Sequence, residues 1–221
     1  MNSSVCALVS GGLDSCVLLA ALARRYQQVW PVFIRQCLVW ERAELRFLRR
    51  FLLASSFRHE PLTILSIPAG DLYGSHWSLT GERTPGARTT DAAVYLPGRN
   101  LLLLAKAAVF CAQRRIPVIA IGTLGHNPFP DAMPQFFRDF ARTAGQALGA
   151  RLQIITPFRQ LTKTAVIARG DKLGLPLHLS FSCLSPKRGQ HCGRCNKCAE
   201  RKRAFRDAGV SDQTRYCRCG R

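Results

Sequence analysis

Two hydrophobic periods alternate along the chain. Val5-Cys-Ala-Leu-Val9 is a short apolar run that stops at Ser10-Gly-Gly12, after which Leu13, Val17, Leu18, Ala21 and Leu22 recur at helical spacing. This predicts a strand, a glycine turn and a helix over residues 14–26. A buried strand at 29–34, a helix at 41–54 and a strand at 62–67 follow. In that helix Leu45, Leu48, Phe51 and Leu52 share one face, and Arg42, Arg46, Arg49 and Arg50 share the other. Further on come an apolar helix at 100–113, a strand at 118–121, a helix at 134–148, a strand at 152–155 and a helix at 161–173. Five strands alternating with five helices predict an α/β fold with a doubly wound parallel sheet.

Two stretches break the pattern. Residues 68–98 carry glycines at 70, 74, 81, 86 and 98 and prolines at 68, 85 and 97, and a loop of that length in a compact domain is usually functional or disordered. From Leu179 onward the composition turns to Cys, Arg, Lys and Gly. The expected organisation is therefore a main domain over 1–178 and a small cysteine-rich module over 179–221.

Composition adds charge to this picture. The 221 residues carry a formal net charge of +19, and 26 of the 32 basic residues are arginine, suited to phosphate and carboxylate. Residues 101–221 hold 21 basic against 6 acidic side chains. A polyanionic partner and a soluble arginine-rich surface both fit such a balance. Hydrophobic residues at 47% exclude a disordered chain. No signal-peptide core is evident, and the ten-residue run 101–110 is too short for a bilayer, which needs about 20 residues. A cytoplasmic protein with no membrane partner is expected.

The first turn carries candidate chemistry. In Ser10-Gly-Gly-Leu-Asp-Ser15, backbone N–H groups at the start of a helix face whatever occupies the turn, a setting that binds phosphate. Gly11 and Gly12 let the backbone close on the anion, and Ser10 and Ser15 add hydroxyl donors. No Gly-Lys-Ser/Thr follows, so this is not a Walker loop. Asp14 beside a phosphate site makes sense as a holder of Mg²⁺.

At the other end Cys183, Cys192, Cys195 and Cys198 are spaced C-x8-C-x2-C-x2-C. Four thiolates this close form a closed tetrahedral site, and one structural Zn²⁺ per chain is expected there. Gly193 allows the tight turn that brings backbone N–H groups to thiolate sulfur. An iron–sulfur cluster is the rival occupant, although the ferredoxin spacing is absent. Cys217 and Cys219 are further ligand candidates or tail residues. Cys6, Cys16, Cys37 and Cys111 are expected as small buried apolar residues.

The loop at 10–15 resembles the PP-loop of the ATP pyrophosphatase superfamily, which cleaves ATP between the α- and β-phosphates and transfers AMP. The whole series is more specific: the PP-loop, Leu96-Pro-Gly-Arg-Asn100, Phe129-Pro-Asp131, Thr156-Pro157 with Lys163, Ser182-Cys183 and Cys192-Gly-x-Cys-x-x-Cys198. In this order it resembles the QueC family of 7-cyano-7-deazaguanine synthases, from residue 5 to about 216.

That resemblance implies a ligase that adenylates the carboxylate of 7-carboxy-7-deazaguanine with ATP. Ammonia then gives the amide, and a second ATP gives the nitrile preQ0. Ser10, Gly11, Gly12, Leu13, Asp14 and Ser15 would bind ATP, and Asp14 would place Mg²⁺. Arg99 and Lys163 would meet phosphate charge, with Asn100 and Asp131 on the substrate side. Asp131 is equally suited to reading the base edge and to capping a helix. A homodimer is also implied.

Three segments depart from the family. Phe33-Ile-Arg-Gln-Cys-Leu-Val-Trp40 replaces an Asp-Tyr-Gly-Gln-Arg-His-like run, Gly122–Phe129 is short and lacks an acidic residue, and Ala132 replaces a cysteine. The departures keep three alternatives open. One is a QueC-like paralogue that stops at the amide or transfers the activated acid to an amine on a protein or other partner. The second is a PP-loop tRNA-modifying enzyme, and the third a zinc-stabilised nucleic-acid-binding module.

Overall fold

A computed structural model describes residues 4–125 and 127–217; Cys219 lies outside them. Its strands are β1 (Ser4–Leu8), β2 (Gln28–Arg35), β3 (Thr63–Ser66), β4 (Val118–Ala120) and β5 (Gln153–Ile155). They form one parallel sheet in the order β3-β2-β1-β4-β5. The helices are α1 (Leu13–Ala23), α2 (Glu41–Ala54), α3 (Gly70–Tyr73), α4 (Trp77–Thr80), α5 (Arg99–Arg114), α6 (Pro134–Leu148), α7 (Lys163–Lys172) and α8 (Asn196–Asp207). The strands begin and end within a residue or two of their predicted bounds, α2 and α6 coincide with theirs, and α1 stops three residues short of its own.

The sheet is covered on both faces because its strands are apolar at successive positions. Val5, Ala7 and Val9 pack with α1, α2 and α7, while Cys6 and Leu8 pack with α5 and α6. β2 divides likewise, Val29 and Phe33 on the first face, Val32 and Ile34 on the second. The chain winds from β1 through β2 to β3 in one direction and then restarts on the other side of β1 with β4. That reversal opens a crevice at the carboxyl ends of β1 and β4, where open α/β sheets bind ligands.

Residues 70–73, 77–80 and 91–94 form short helical turns in the segment expected as loop. The segment is tied down at both ends. Tyr73 Oη donates to the Pro97 carbonyl at 2.9 Å, and Asn196 donates from its N–H to Pro85 O at 2.9 Å and from Nδ2 to Thr89 O at 2.8 Å.

Helix α8 has no counterpart in the periodicity. Its sequence, Asn-Lys-Cys-Ala-Glu-Arg-Lys-Arg-Ala-Phe-Arg-Asp, buries only a narrow stripe that includes Cys198, Ala204 and Phe205. Ala204 and Phe205 enter the same core as Val5 and Leu18, whereas the four cysteines join Leu38, Trp40, Phe47 and Phe181 in a third cluster. Arg201, 2% exposed, knits the tail together: its guanidinium donates to Thr214 Oγ1 and Ser180 Oγ at 2.9 Å and to Leu177 O at 2.8 Å.

Cys6, Cys16 and Cys111 are fully buried, as expected, but Cys37 is exposed. The chain turns there with φ +66°, and the Cys37 N–H donates to Glu41 Oε2, so the side chain leaves the core. Among the described residues no helix is long and apolar enough to cross a membrane.

Candidate active site and metal centre

A cavity of about 390 Å³ occupies the crevice, within the size range of small-molecule sites. Its floor is the turn after β1. Gly11 has φ +76°, and a Cβ there would lie 2.9 Å from the Glu44 carbonyl oxygen, so glycine is required twice over. Ser10 Oγ accepts from the Gly12 N–H at 3.2 Å, and Ser15 Oγ donates to Gly12 O at 2.9 Å. Among the described residues no side chain caps α1 at Gly12, so the N–H groups of its first turn are left without a capping partner beside the cavity. Ser10, Gly12, Asp14 and Ser15 line the cavity. Leu13 is instead a core residue, 3% exposed, and Gly11 is buried behind the turn.

Lys163 begins α7 and donates to Asp14 Oδ2 at 2.5 Å. It also lies 3.5 Å from Glu200 of α8, which in turn pairs with Lys197 at 2.7 Å. Burial alone would lower the Lys163 pKa, but the two carboxylates outweigh it and hold the ammonium above its ordinary range. Burial opposes the ionised Glu200 too, and the attraction of Lys163 and Lys197 prevails, so its pKa is lowered. Lys163 thus remains a cation at the cavity wall.

Arg99 and Asn100, at the start of α5, also line the cavity. Arg99 Nε donates to Gln36 Oε1 at 3.0 Å. Asp131 stands behind them: its Oδ2 accepts the Asn100 N–H at 2.8 Å and its carbonyl accepts Asn100 Nδ2 at 3.1 Å. It therefore satisfies the start of α5, and it is 8% exposed.

Among the described residues, three buried polar atoms at or beside the cavity have no partner: Asp14 Oδ1, Thr123 Oγ1 and Gln36 Nε2. Asp14 and Thr123 line it, and buried polar groups of this kind are normally satisfied. Asp14 Oδ1 fits a cation beside a phosphate, being an acceptor-only carboxylate oxygen with its partner oxygen already held by Lys163.

Sequence reasoning missed Glu41 and Glu44, in the first turn of α2. Glu41 receives Arg35 Nε at 2.8 Å and the N–H groups of Gln36 and Cys37 at 2.6 and 2.9 Å, fixing the turn after β2. Glu44 lines the cavity at 9% exposure, and burial pushes its pKa up to about 8, against the opposing field of Arg99. Its position four residues before Leu48 places a carboxyl on the apolar stripe of an amphipathic helix, and that was the available signal.

The cysteine module abuts the same turn. Phe181 N–H donates to Gly11 O at 2.7 Å, two residues before Cys183. The Sγ atoms of Cys183, Cys192, Cys195 and Cys198 all lie within 4.8 Å of one another, all four buried. The separation of Cys183 and Cys195 is 3.9 Å, against about 3.8 Å for thiolates tetrahedral about a zinc at 2.3 Å. Gly193 has φ +77°, and N–H groups of Cys192, Leu184, Arg194 and Cys195 reach cysteine sulfurs at 3.2–3.5 Å. A metal therefore fits the donor set. Cys217 stands outside this cluster, its N–H donating to His191 O at 2.7 Å.

The sheet order, the turn after β1 and the four-cysteine cluster define a PP-loop-type α/β protein with a cysteine cluster able to hold a metal. One solved structure with this fold is the U34-tRNA thiolase NcsA from Methanococcus maripaludis with its [4Fe-4S] cluster, at TM-score 0.50 and 12% identity over 94% of this chain and 68% of that one. The model of the queuosine biosynthesis protein QueC matches residues 4–209, and the chain belongs to the QueC family. Among its relatives, a 7-cyano-7-deazaguanine synthase of Rhizobium johnstonii is 35% identical over 94% of this chain and 89% of that protein. Another, of Anaeromyxobacter dehalogenans, is 30% identical over 96% and 94%.

Proposed function

We propose that the protein makes preQ0 from 7-carboxy-7-deazaguanine, ATP and ammonia. A carboxylate oxygen of the acid bonds to the α-phosphorus of ATP, the bond to the bridging α–β oxygen breaks, and pyrophosphate leaves. Ammonia adds to the acyl carbon and AMP departs with the former carboxylate oxygen, giving the amide after proton loss. The amide oxygen repeats the attack on a second ATP, and loss of AMP and the two amide protons leaves the nitrile. Activation is needed because a carboxylate is a poor acyl donor until a good leaving group replaces its oxygen.

The observation that carries this reading is the Lys163–Asp14 pair set against an uncapped helix start on the cavity floor. The N–H groups after Gly12, with Ser10 and Ser15, would hold the departing pyrophosphate. Lys163 and Arg99 would meet the negative charge that develops at the phosphorus. Mg²⁺ held at Asp14 Oδ1 would supply charge neutralisation there. Asn100 would touch the substrate, with Asp131 positioning it.

Cys183, Cys192, Cys195 and Cys198 would hold one structural Zn²⁺ per chain in the segment 179–221, joined to an ATP domain over 1–178. Thiolates ligating separate irons of a cubane stand farther apart than these, which favours the single ion.

The test is the mass of the product formed from the acid, Mg-ATP and ammonia, with pyrophosphate and AMP counted. The nitrile and two AMP per product are expected. An accumulating amide with one AMP overturns the second step. No AMP at all overturns the reading. A second reading replaces ammonia by an amine on a partner macromolecule, and exposed Arg42, Arg49 and Arg50 on α2 favour it. A mass increment on that partner would identify it.

A further inference from the structure

The carboxyl of Glu44 has no part in the phosphate chemistry above, yet it stands in the cavity wall. Its companion Glu41 is occupied by Arg35 and two backbone N–H groups, whereas Glu44 is met by the indole of Trp40 and by the field of Arg99 from α5. A carboxyl at 9% exposure is costly to ionise unless donors arrive. Thr123 Oγ1, 8% exposed and without a partner among the described residues, lines the same cavity.

A 7-deazaguanine acid has two polar ends. The carboxylate is carried by the five-membered ring, and the six-membered ring presents N1–H and the 2-amino group as parallel donors. Two parallel donors match the two oxygens of one carboxylate, the same complementarity that makes guanidinium pairs bidentate. The acid end belongs beside the PP-loop, where the phosphate is transferred. The donor edge then needs an acceptor in the wall, and the side chain of Glu44, whose backbone carbonyl lies against Gly11, is a buried carboxyl available there.

We infer that Glu44 is the specificity-determining residue that reads the N1–H and 2-amino edge of the substrate ring. This rests on the proposed function and names how its acid is recognised. Glu44 is protonated in the unliganded cavity near neutral pH, since burial raises its pKa; it ionises as the donor edge binds. The groups that bear on it are Arg99 of α5, Glu41 of its own helix and the Trp40 indole.

The experiment compares wild type with Glu44→Gln on two compounds, 7-carboxy-7-deazaguanine and its analogue lacking the 2-amino group. Binding is read by calorimetry and turnover by AMP release. Wild type should prefer the amino compound by on the order of 10²-fold or more, because a site built for a donor rejects a ligand without it. In Glu44→Gln that ratio should collapse towards one, with KM for the acid raised and KM for ATP nearly unchanged. An undiminished ratio in Glu44→Gln, or a change confined to ATP, overturns the assignment and leaves the proposed function standing. Failure of wild type to bind either compound overturns both. Retained ATP binding by Glu44→Gln shows that the variant folds, and Glu44→Asp, which keeps the carboxylate, should recover part of the preference.

Discussion

Glu44 ties the chemistry of a single side chain to the stability of the whole chain. Its pKa is about 8 in the folded protein against an ordinary 4.5. The folded state therefore binds more protons than the unfolded state between those values, and stability falls as pH rises from about 4.5 to 8. Below 4.5 both states are protonated and the penalty vanishes. Glu44→Gln should gain on wild type across this window, measured as the difference in Tm or urea midpoint at pH 5 and pH 8. An unchanged difference at the two pH values would show that the acid is not desolvated. Asp14 and Lys163 were legible in the sequence because a motif carried each of them. Glu44 was masked by the many charges of α2, whose next-door arginines face solvent.

Elements are held to the site by close backbone contact as much as by side chains. The turn between β1 and α1 touches α2 through Gly11 and the Glu44 carbonyl, and touches the segment before Cys183 through the Phe181 N–H. Gly11→Ala must strain the left-handed backbone and push α2 away, so it should cost about 1–3 kcal/mol of stability and weaken ATP binding at least tenfold. Chemical denaturation and calorimetry would check both. Helix α8 contributes Glu200, which contacts Lys163 at 3.5 Å. Glu200→Gln should keep the metal and the fold but lower kcat more than it raises KM for ATP; a change in KM alone would assign Glu200 to binding. The five strands and their helices were readable because continuous apolar runs and 3.6-residue stripes mark buried strands and covering helices. The order that sets β4 beside β1 is a matter of tertiary pairing, and α8 escaped because eight of its twelve residues are polar or charged.

At the scale of the molecule, the four-cysteine cluster and the cavity above the turn after β1 form one mechanical unit. Composition marks a change near residue 178, but Ala204 and Phe205 fill the core beneath β1, Arg201 binds the Leu177 carbonyl, and Asn196 holds residues 85 and 89 of the long segment. That segment carries Asp91 to the cavity, 3.7 Å from Lys197. Collapse of the cysteine centre would release Phe181 from Gly11, Glu200 from Lys163 and the long segment from α8. Loss of the metal, by chelation or by Cys192→Ser, should therefore lower Tm in a single cooperative transition and abolish ATP binding with it, because structural metal binding is also folding free energy. Elemental analysis would give one zinc per chain before treatment and none after. Retention of full ATP affinity in metal-free protein would overturn this coupling and assign the cysteines to a freely dispensable appendage. The arginine excess bears on the same result. Four thiolates around Zn²⁺ would carry a net charge of −2, so the basic residues Lys187, Arg188, Arg194 and Lys202, which flank the cysteines in the chain, would lose that counterweight when the metal site fails. The loss should accordingly be steeper at low salt than at high salt, where their mutual repulsion is screened.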